Sequence, residues 1–271
     1  MYKQLLSIVG LSTLSLLSEA SAVALAPQVA GNYLNGNGAN SQWVQVYARA
    51  SEESGGPDGW RGSTQGSQAW GTGIWSLADA GQVMSLSADD PYVLKTFSGV
   101  ASQISYSNQA YLNQWGATWG TQNLAPIFTN AAGENQENFA SHFTGYISIT
   151  DPGMYNFGVM YDDGFNFTLT GAGGSSLSIS QDGLNPRDRL GFGQDLSLTS
   201  GLYSFDLLAY NRLEVGVVNL SWTQNGGDWV TIPQDHLFTT TPVPEPEALS
   251  FMLAGLGVVA WATRRKLKPV A

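Results

Sequence analysis

Two adjacent aspartates, Asp162 and Asp163, are the residues of this sequence whose spacing points most directly to chemistry. They precede Gly164 at a point where an alternating run of apolar residues is interrupted, which places them at the end of a strand. Adjacent carboxylates in that position can converge on one calcium ion, which takes about six to eight oxygen ligands. The alternative is a turn in which Asp162 forms the bend and Asp163 bonds to the backbone.

The other reactive side chains offer little for catalysis. The chain has no cysteine, which excludes disulfides, thiolate zinc sites, cysteine nucleophiles and iron–sulfur clusters. It has two histidines, His142 and His236, and no G-x-S-x-G nucleophile motif accompanies the Asp235-His236 pair. We therefore predict that the protein is not an enzyme. A secreted glycoside hydrolase is the alternative, because two of the many acidic residues could oppose each other in space.

The overall charge of the chain indicates which kinds of molecule it can bind. The chain has 11 Lys and Arg residues against 21 Asp and Glu residues, a net charge of −10. Such a surface repels a polyanion, so we predict no nucleic-acid partner. Charged residues are only 12% of the chain, whereas there are 32 glycines and 9 tryptophans. This composition is typical of a secreted all-β protein.

The residues around the aspartate pair alternate with a period of two, which indicates strands. Apolar side chains recur at every second position before the pair and after it, at Tyr155, Phe157, Val159, Tyr161, Phe165, Phe167 and Leu169. Further strands are predicted at 202–210 and 215–222, and glycine or Asx turns separate the strands. We predict an all-β fold, an antiparallel β-sandwich in which Phe157 and Phe205 point inward.

The first residues have the form of a secretory signal peptide, which we place at 1–26. Lys3 supplies the positive charge and 5–17 is mostly apolar. Alanines at every second position then offer several A-x-A cleavage sites: Ala20, Ala22, Ala24 and Ala26. The apolar run is short for crossing the roughly 30 Å of membrane hydrocarbon, so we predict export rather than anchoring at this end.

The C-terminal end carries three features in a fixed order. A proline-rich motif comes first, at Val243, Pro244, Glu245 and Pro246. An apolar run follows, which we predict to be a single transmembrane helix at 248–263. A basic cluster comes last, at Arg264, Arg265 and Lys266, and would stay in the cytoplasm. The arrangement resembles the PEP-CTERM sorting signal of Gram-negative bacteria, which we place at 243–267; an ordinary tail anchor is the alternative.

The PEP-CTERM resemblance implies an export route and a processing enzyme that acts on the tail. In that family a membrane transpeptidase, the exosortase, recognises the tail and removes it near the Pro-Glu-Pro motif. The C-terminal helix holds the protein in the inner membrane until this processing. The resemblance therefore implies export to the cell surface or to the exopolysaccharide matrix.

Several motifs of the central region follow the order in which PA14 domains carry them. They are Gly153-x-Tyr155-x-Phe157, Asp162-Asp163-Gly164, Gly201-x-Tyr203 and Leu220-Ser221-Trp222. The stretch 97–238 resembles the PA14 family, which implies a β-sandwich of jelly-roll type that serves as a carbohydrate-binding or adhesive module. We assign 97–240 to this domain, and 27–96 to an N-terminal lobe or to extra strands of the same sandwich.

The PA14 resemblance also implies a calcium site. In sugar-binding members of the family, paired aspartates joined by a cis peptide bind Ca²⁺, and Asp162 and Asp163 match that pair. A second loop supplies an asparagine side chain and backbone carbonyls, which implies Asn225 as the side-chain ligand and Gly227 and Trp229 as carbonyl ligands. Sugar hydroxyls complete the coordination. Members that bind no sugar keep the aspartates for structure alone.

Taken together, the residues and the two resemblances predict an exported cell-surface or matrix protein that is processed by an exosortase. Its predicted ligand is an exopolysaccharide or surface glycan, bound with the help of Ca²⁺. A structural matrix or adhesion protein without a sugar site is the alternative from a different functional class.

Overall fold

The computed structural model describes residues 22–48, 59–62, 71–108 and 122–242. Most of the predicted signal peptide, 1–21, and the whole predicted sorting signal, 243–267 with its apolar segment 248–263, lie outside these ranges. Among the described residues, no helix is long and apolar enough to cross a membrane.

Strands dominate the described part of the chain, with one α-helix, α1 (Leu77–Met84). In chain order the strands are β1 (Val23–Leu25), β2 (Val29–Ala30), β3 (Ala39–Val46), β4 (Val93–Ala101), β5 (Ser105–Ser107), β6 (Asn123–Leu124), β7 (Phe139–Ile149), β8 (Gly153–Asp162), β9 (Gly164–Thr170), β10 (Ser176–Gln181), β11 (Asp188–Gly191), β12 (Leu196–Leu198), β13 (Gly201–Asn211), β14 (Val217–Gln224), β15 (Val230–Thr231) and β16 (Leu237–Phe238).

The strands form two facing sheets. The first sheet has the order β1-β12-β8-β14-β5-β6, with β11 beside β8 and β15 beside β14. The second has the order β10-β9-β13-β7-β3-β4, with β16 beside β7 and β2 beside β13. The pairs β1–β12 and β5–β6 are parallel and the long pairs are antiparallel. The predicted all-β sandwich is therefore confirmed.

Aromatic side chains fill the space between the sheets. Phe157 of the first sheet is completely buried, and its ring centroid lies 6.1 Å from that of Phe167 in the second sheet. Phe205 is 4% exposed and lies 6.5 Å from the same ring. Both predicted inward positions are confirmed, because alternate residues of a strand face the same side.

The N-terminal strand β1 overlaps the predicted signal peptide 1–26. It pairs in parallel with β12, and Leu25 is buried in the main core. Cleavage after Ala26 would remove the whole strand, and cleavage after Ala24 would remove two of its three residues. Cleavage after Ala22 keeps the strand intact, so the fold favours that A-x-A site.

A small lobe built on a helix covers part of the second sheet, within the stretch 27–96; the helix itself was not predicted from the sequence. Helix α1 begins after Ser76, whose side chain accepts a hydrogen bond from the N–H of Asp79. Its buried face packs with Trp60, Ile74 and Tyr210 in a second, smaller core. The lobe lies next to the end of β13, close to the aspartate pair.

Candidate functional site

The aspartate pair lies where the chain passes from one sheet to the other. Asp162 ends β8 in the first sheet, and Asp163 leads into β9 in the second sheet. The peptide bond between them is cis, as the PA14 resemblance implies. Each residue is only 8% exposed, so both carboxylates sit in a largely dry environment.

Asp163 is held by the end of β13. Its N–H donates to the carbonyl of Tyr210 at 2.8 Å, and its Oδ2 accepts from the N–H of Arg212 at 2.6 Å. Asn185 Nδ2 donates to the Asp163 carbonyl at 3.2 Å. One oxygen of Asp163 is thus bonded to the backbone, as in the turn interpretation, and the carboxylate is fixed in orientation.

A cleft of about 540 Å³ opens over the pair. Three segments line it: the two aspartates, a loop at 184–187 and a loop at 213–215 between β13 and β14. Leu184 is 43% exposed and offers an apolar wall, whereas Arg187 and Glu214 offer charged groups. The cleft therefore combines buried oxygen atoms at its base with a mixed rim.

The two carboxyl groups resist ionisation. Burial, and next the charge of Asp163, raise the pKa of the Asp162 carboxyl to about 8. Burial raises the pKa of Asp163 to about 6, although the N–H and the charge of Arg212 act to lower it. Adjacent buried carboxylates repel each other, and a bound cation would relieve that repulsion.

Asn211 is a site residue that the sequence interpretation missed. It is completely buried, and its Nδ2 donates to the carbonyls of Leu213 at 2.9 Å and Val215 at 2.7 Å. Its Oδ1 has no hydrogen-bond partner among the described residues. Glu214 between the two carbonyls has a φ of 56°, in the left-handed region, which curls the loop so that both face Asn211.

The register explains why Asn211 belongs to the site. Strand β13 runs antiparallel to β9, and Tyr210 is the partner of Gly164. The residue after Tyr210 must therefore lie beside the residue before Gly164, which is Asp163. The signal was present in the sequence as a polar Tyr-Asn-Arg step at the end of a predicted strand, but it becomes meaningful only with the strand pairing known.

The predicted second loop lies at the other end of the sandwich. Strand β14 is antiparallel to β8, with Val217 beside Asp162 and Gln224 beside Tyr155. Asn225 lies eight residues along the chain from Val217, which places it about 26 Å from Asp162. The prediction that Asn225, Gly227 and Trp229 complete the same metal site is therefore wrong, because β14 carries them away from it.

Those three residues have structural contacts instead. Asn225 Oδ1 accepts from the N–H of Met154 at 3.0 Å and so closes the far end of the β8–β14 pair. The Trp229 ring lies where side chains at Gly158 and Gly191 would otherwise be, with the Arg189 guanidinium 5.7 Å from the ring centroid. Gly227 donates its N–H to the Gln224 carbonyl at 3.0 Å in the turn itself.

The histidines are placed outside the cleft. His142 Nε2 lies 2.8 Å from Asp206 Oδ2, and His236 Nδ1 lies 2.8 Å from the Ser148 carbonyl. Across the described ranges, no group of three or more His, Asp and Glu side chains could hold a metal ion. A cation at the aspartate pair would therefore depend on amide and carbonyl oxygens as well.

Several solved structures are similar to this chain. The PA14 domain of MpAFP antifreeze protein has 18% identity and a TM-score of 0.46, over 78% of this chain and 94% of that one. The PA14 sugar-binding domain from RTX adhesin has 14% identity and a TM-score of 0.45, over 76% and 99%. The Epithelial Adhesin 6 A domain from Candida glabrata, in complex with Galb1-3GlcNAc, has 15% identity and a TM-score of 0.44, over 83% and 95%.

The C-terminal motif matches a family model. Residues 242–266 match the PEP-CTERM protein-sorting motif, and this range contains the whole proline-rich motif and basic cluster predicted above. A search of curated proteins found no match to the chain. The predicted sorting signal is thus confirmed: this chain carries a PEP-CTERM protein-sorting motif behind a PA14-like β-sandwich with a cis aspartate pair.

Proposed function

We propose that this protein is a calcium-dependent glycan-binding protein of the cell surface or the exopolysaccharide matrix, delivered there by an exosortase. The observation that carries the proposal is the convergence of oxygen atoms at the base of one cleft. Asp162 and Asp163 supply buried carboxylates, and the loop after β13 brings two backbone carbonyls around the Asn211 carboxamide.

This set of oxygen donors fits a calcium ion. Ca²⁺ prefers carboxylate, amide and carbonyl oxygens and tolerates irregular geometry. Asp162 and Asp163 would hold the ion through their carboxylates, and Asn211, Leu213 and Val215 are the amide and carbonyl candidates. The oxygen and the NH₂ group of a carboxamide have nearly the same shape. A half-turn of the Asn211 amide would therefore bring Oδ1, which has no hydrogen-bond partner among the described residues, to the place where Nδ2 now lies. When bound, the ion would supply open coordination positions for sugar hydroxyls.

The cleft suits a sugar ring in other respects. Leu184 and Pro186 present apolar surface against which the C–H face of a sugar can pack. Arg187 and Glu214 present a donor and an acceptor at the rim for further hydroxyl groups. A site with a few fixed polar groups on a partly apolar wall is typical of small-ligand recognition.

The experiment compares two asparagines at the ends of long strands: Asn211 is the last residue of β13, and Asn225 directly follows β14. Asn211→Ala removes the carboxamide at the cleft, whereas Asn225→Ala removes the one about 26 Å away. We expect glycan-array binding by the exported protein to need calcium, to stop with a chelator, and to survive Asn225→Ala but not Asn211→Ala. Equal binding by both variants would contradict the assignment of the site.

We further propose that the cleft binds sugars without cleaving them. Asp162 and Asp163 are consecutive residues, so they do not form the opposed pair of carboxyls between which a hydrolase holds its substrate. The expected result is that no reducing sugar is released from a panel of polysaccharides, including the exopolysaccharide of the producing cells. Release of reducing sugar that disappears in Asp162→Asn would reject this part of the proposal.

A further inference from the structure

Strand β4 is an outer strand of the second sheet, and its outer edge is long. It has nine residues and pairs with β3 on one side, and no strand among the described residues pairs with its other side. Outer strands of soluble proteins are usually short, or carry proline or exposed charge, because an open edge can pair with another chain. Strand β4 contains no proline, and its one charged side chain, Lys95, is in a salt bridge with Glu134.

The backbone of β4 presents bonding groups at this edge. The Ser41 hydroxyl donates a 3.3 Å hydrogen bond to the carbonyl of Gly99, its register partner, so this carbonyl faces β3. Successive residues of a strand direct their backbone groups to opposite edges. The N–H and C=O groups of Thr96, Ser98 and Val100 therefore point away from β3.

The sequence of β4 suits antiparallel pairing with a second copy of the same strand. If two copies pair antiparallel with Phe97 opposite Phe97, Leu94 of each copy lies beside Val100 of the other. The two-fold symmetry of the pair gives two such contacts. Leu94 is 45% exposed and Val100 is 56% exposed, and both belong to the outward-facing set of the strand. Cross-strand apolar pairs of this kind stabilise a sheet. The same register sets Thr96 beside Ser98, and the long Lys95 beside Gly99, which has no side chain.

The charge distribution favours a second copy of this acidic chain as the partner that pairs with the open edge of β4. The whole sequence has a net charge of −10, yet β4 contains no acidic residue. Pairing of two β4 strands therefore opposes no carboxylates, and the register keeps the two lysines apart.

We infer that β4 is a self-association edge, at which two molecules join antiparallel about Phe97 into one continuous sheet. None of the cleft residues belongs to β4 or to β3. Self-association thus leaves the proposed glycan site open, and the two inferences can fail independently.

The absence of cysteine from the chain allows a test of the register. In the proposed pair, Thr96 of one copy lies about 5.5 Å from Ser98 of the other between Cα atoms, which suits a disulfide. Two copies of Thr96 would lie about 8 Å or more apart, too far for one. We expect a mixture of exported Thr96→Cys and Ser98→Cys proteins to form a disulfide-linked dimer under mild oxidation, and each variant alone not to. Equal cross-linking of the single variants, or none in the mixture, would overturn the register.

Sedimentation equilibrium of the exported protein tests the association itself. We expect the unmodified protein to reach twice the monomer mass, and Val100→Lys to sediment as a monomer because it buries a charge at the new pair. Leu34→Lys is the matched control, since Leu34 is 59% exposed but lies outside β4; it should remain dimeric. A monomer at every concentration, or a dimer that Val100→Lys leaves intact, would refute the inference.

Discussion

Calcium should stabilise this protein at pH 8 and not at pH 6, and the reason lies in the two buried carboxyls. A calcium ion can use Asp162 and Asp163 only when both are ionised. Because burial raises the pKa of Asp162 to about 8 and that of Asp163 to about 6, the pair at pH 6 holds protons that the ion must displace. The perturbation is therefore a calcium titration of chelator-treated protein at the two pH values.

The size of the effect follows from these pKa values. The fraction of molecules with both carboxyls ionised falls about a hundredfold between pH 8 and pH 6, and the apparent affinity falls with it. With a dissociation constant of about 10⁻³ M at pH 8, as in weak extracellular calcium modules, about 10 mM calcium adds about 1.4 kcal/mol of stability. For a domain of this size that is a rise of about 3–6 °C in melting temperature. At pH 6 the same calcium adds about 0.06 kcal/mol, which no melting curve resolves.

The protein without calcium should show the opposite trend with pH. In the folded state these carboxyls hold protons that the unfolded chain, with its ordinary pKa of 3.8, has already released. The contribution of this pair to folding stability is then largest below about pH 4 and is lost as the pH rises through about 8. Asp162→Asn removes the more strongly shifted group, so it should flatten this decline and raise the melting temperature at pH 8.

Differential scanning calorimetry of the exported protein measures both trends. Asp162→Asn should show no calcium response at either pH, whereas Asp90→Asn, which changes an acidic residue of a surface turn, should respond as the unmodified protein does. A calcium-induced rise of equal size at pH 6 and pH 8 would refute the reasoning, since calcium would then be bound by groups other than these carboxyls. A flat response at pH 8 would leave the pair as turn residues.

Three further predictions concern the core and the two processing steps. Phe157→Ala should cost about 3–5 kcal/mol in denaturant unfolding because the ring is completely buried, whereas Thr168→Ala on the outer face should cost no more than about 1 kcal/mol; equal costs would contradict the assigned faces. The exported protein should begin at Val23, because a later cut removes the strand that buries Leu25, and N-terminal mass analysis that finds a later start would contradict this. Replacing the basic residues at 264–266 with glutamine should reduce delivery to the surface, since the tail loses its cytoplasmic charge, and immunoblots of surface and membrane fractions would show it.

The local pattern of the sequence was enough to predict the strands next to the aspartate pair and the position of the pair. The period-two run ending at Asp162 predicted β8 and its buried Phe157, because alternation depends only on neighbouring residues. The second half of the site was predicted in the wrong place because it depends on register. Asn211 ends one strand and Asn225 follows another, and only the pairing of β13 with β9 shows which of them meets Asp163.

The short helix α1 was missed for a related reason. Its sequence includes a glycine and spans only eight residues, so it has little intrinsic helical preference. It forms because Ala80 and Val83 can pack against the outer side of the second sheet. Such packing is a property of the assembled fold and leaves little trace in a local pattern.

The two ends of the sandwich differ in which strands lie beside them. Strand β1 lies beside β12 at the Gly153 end of β8, and β16 lies beside Ile147 of β7, about 23 Å or more along these strands from the residues next to the cleft. Val23, the first residue that cleavage after Ala22 would leave, is therefore held at the end of the sandwich opposite the cleft. Removal of the signal peptide after Ala22 would then create the new N-terminus far from the proposed glycan site and leave that site unchanged.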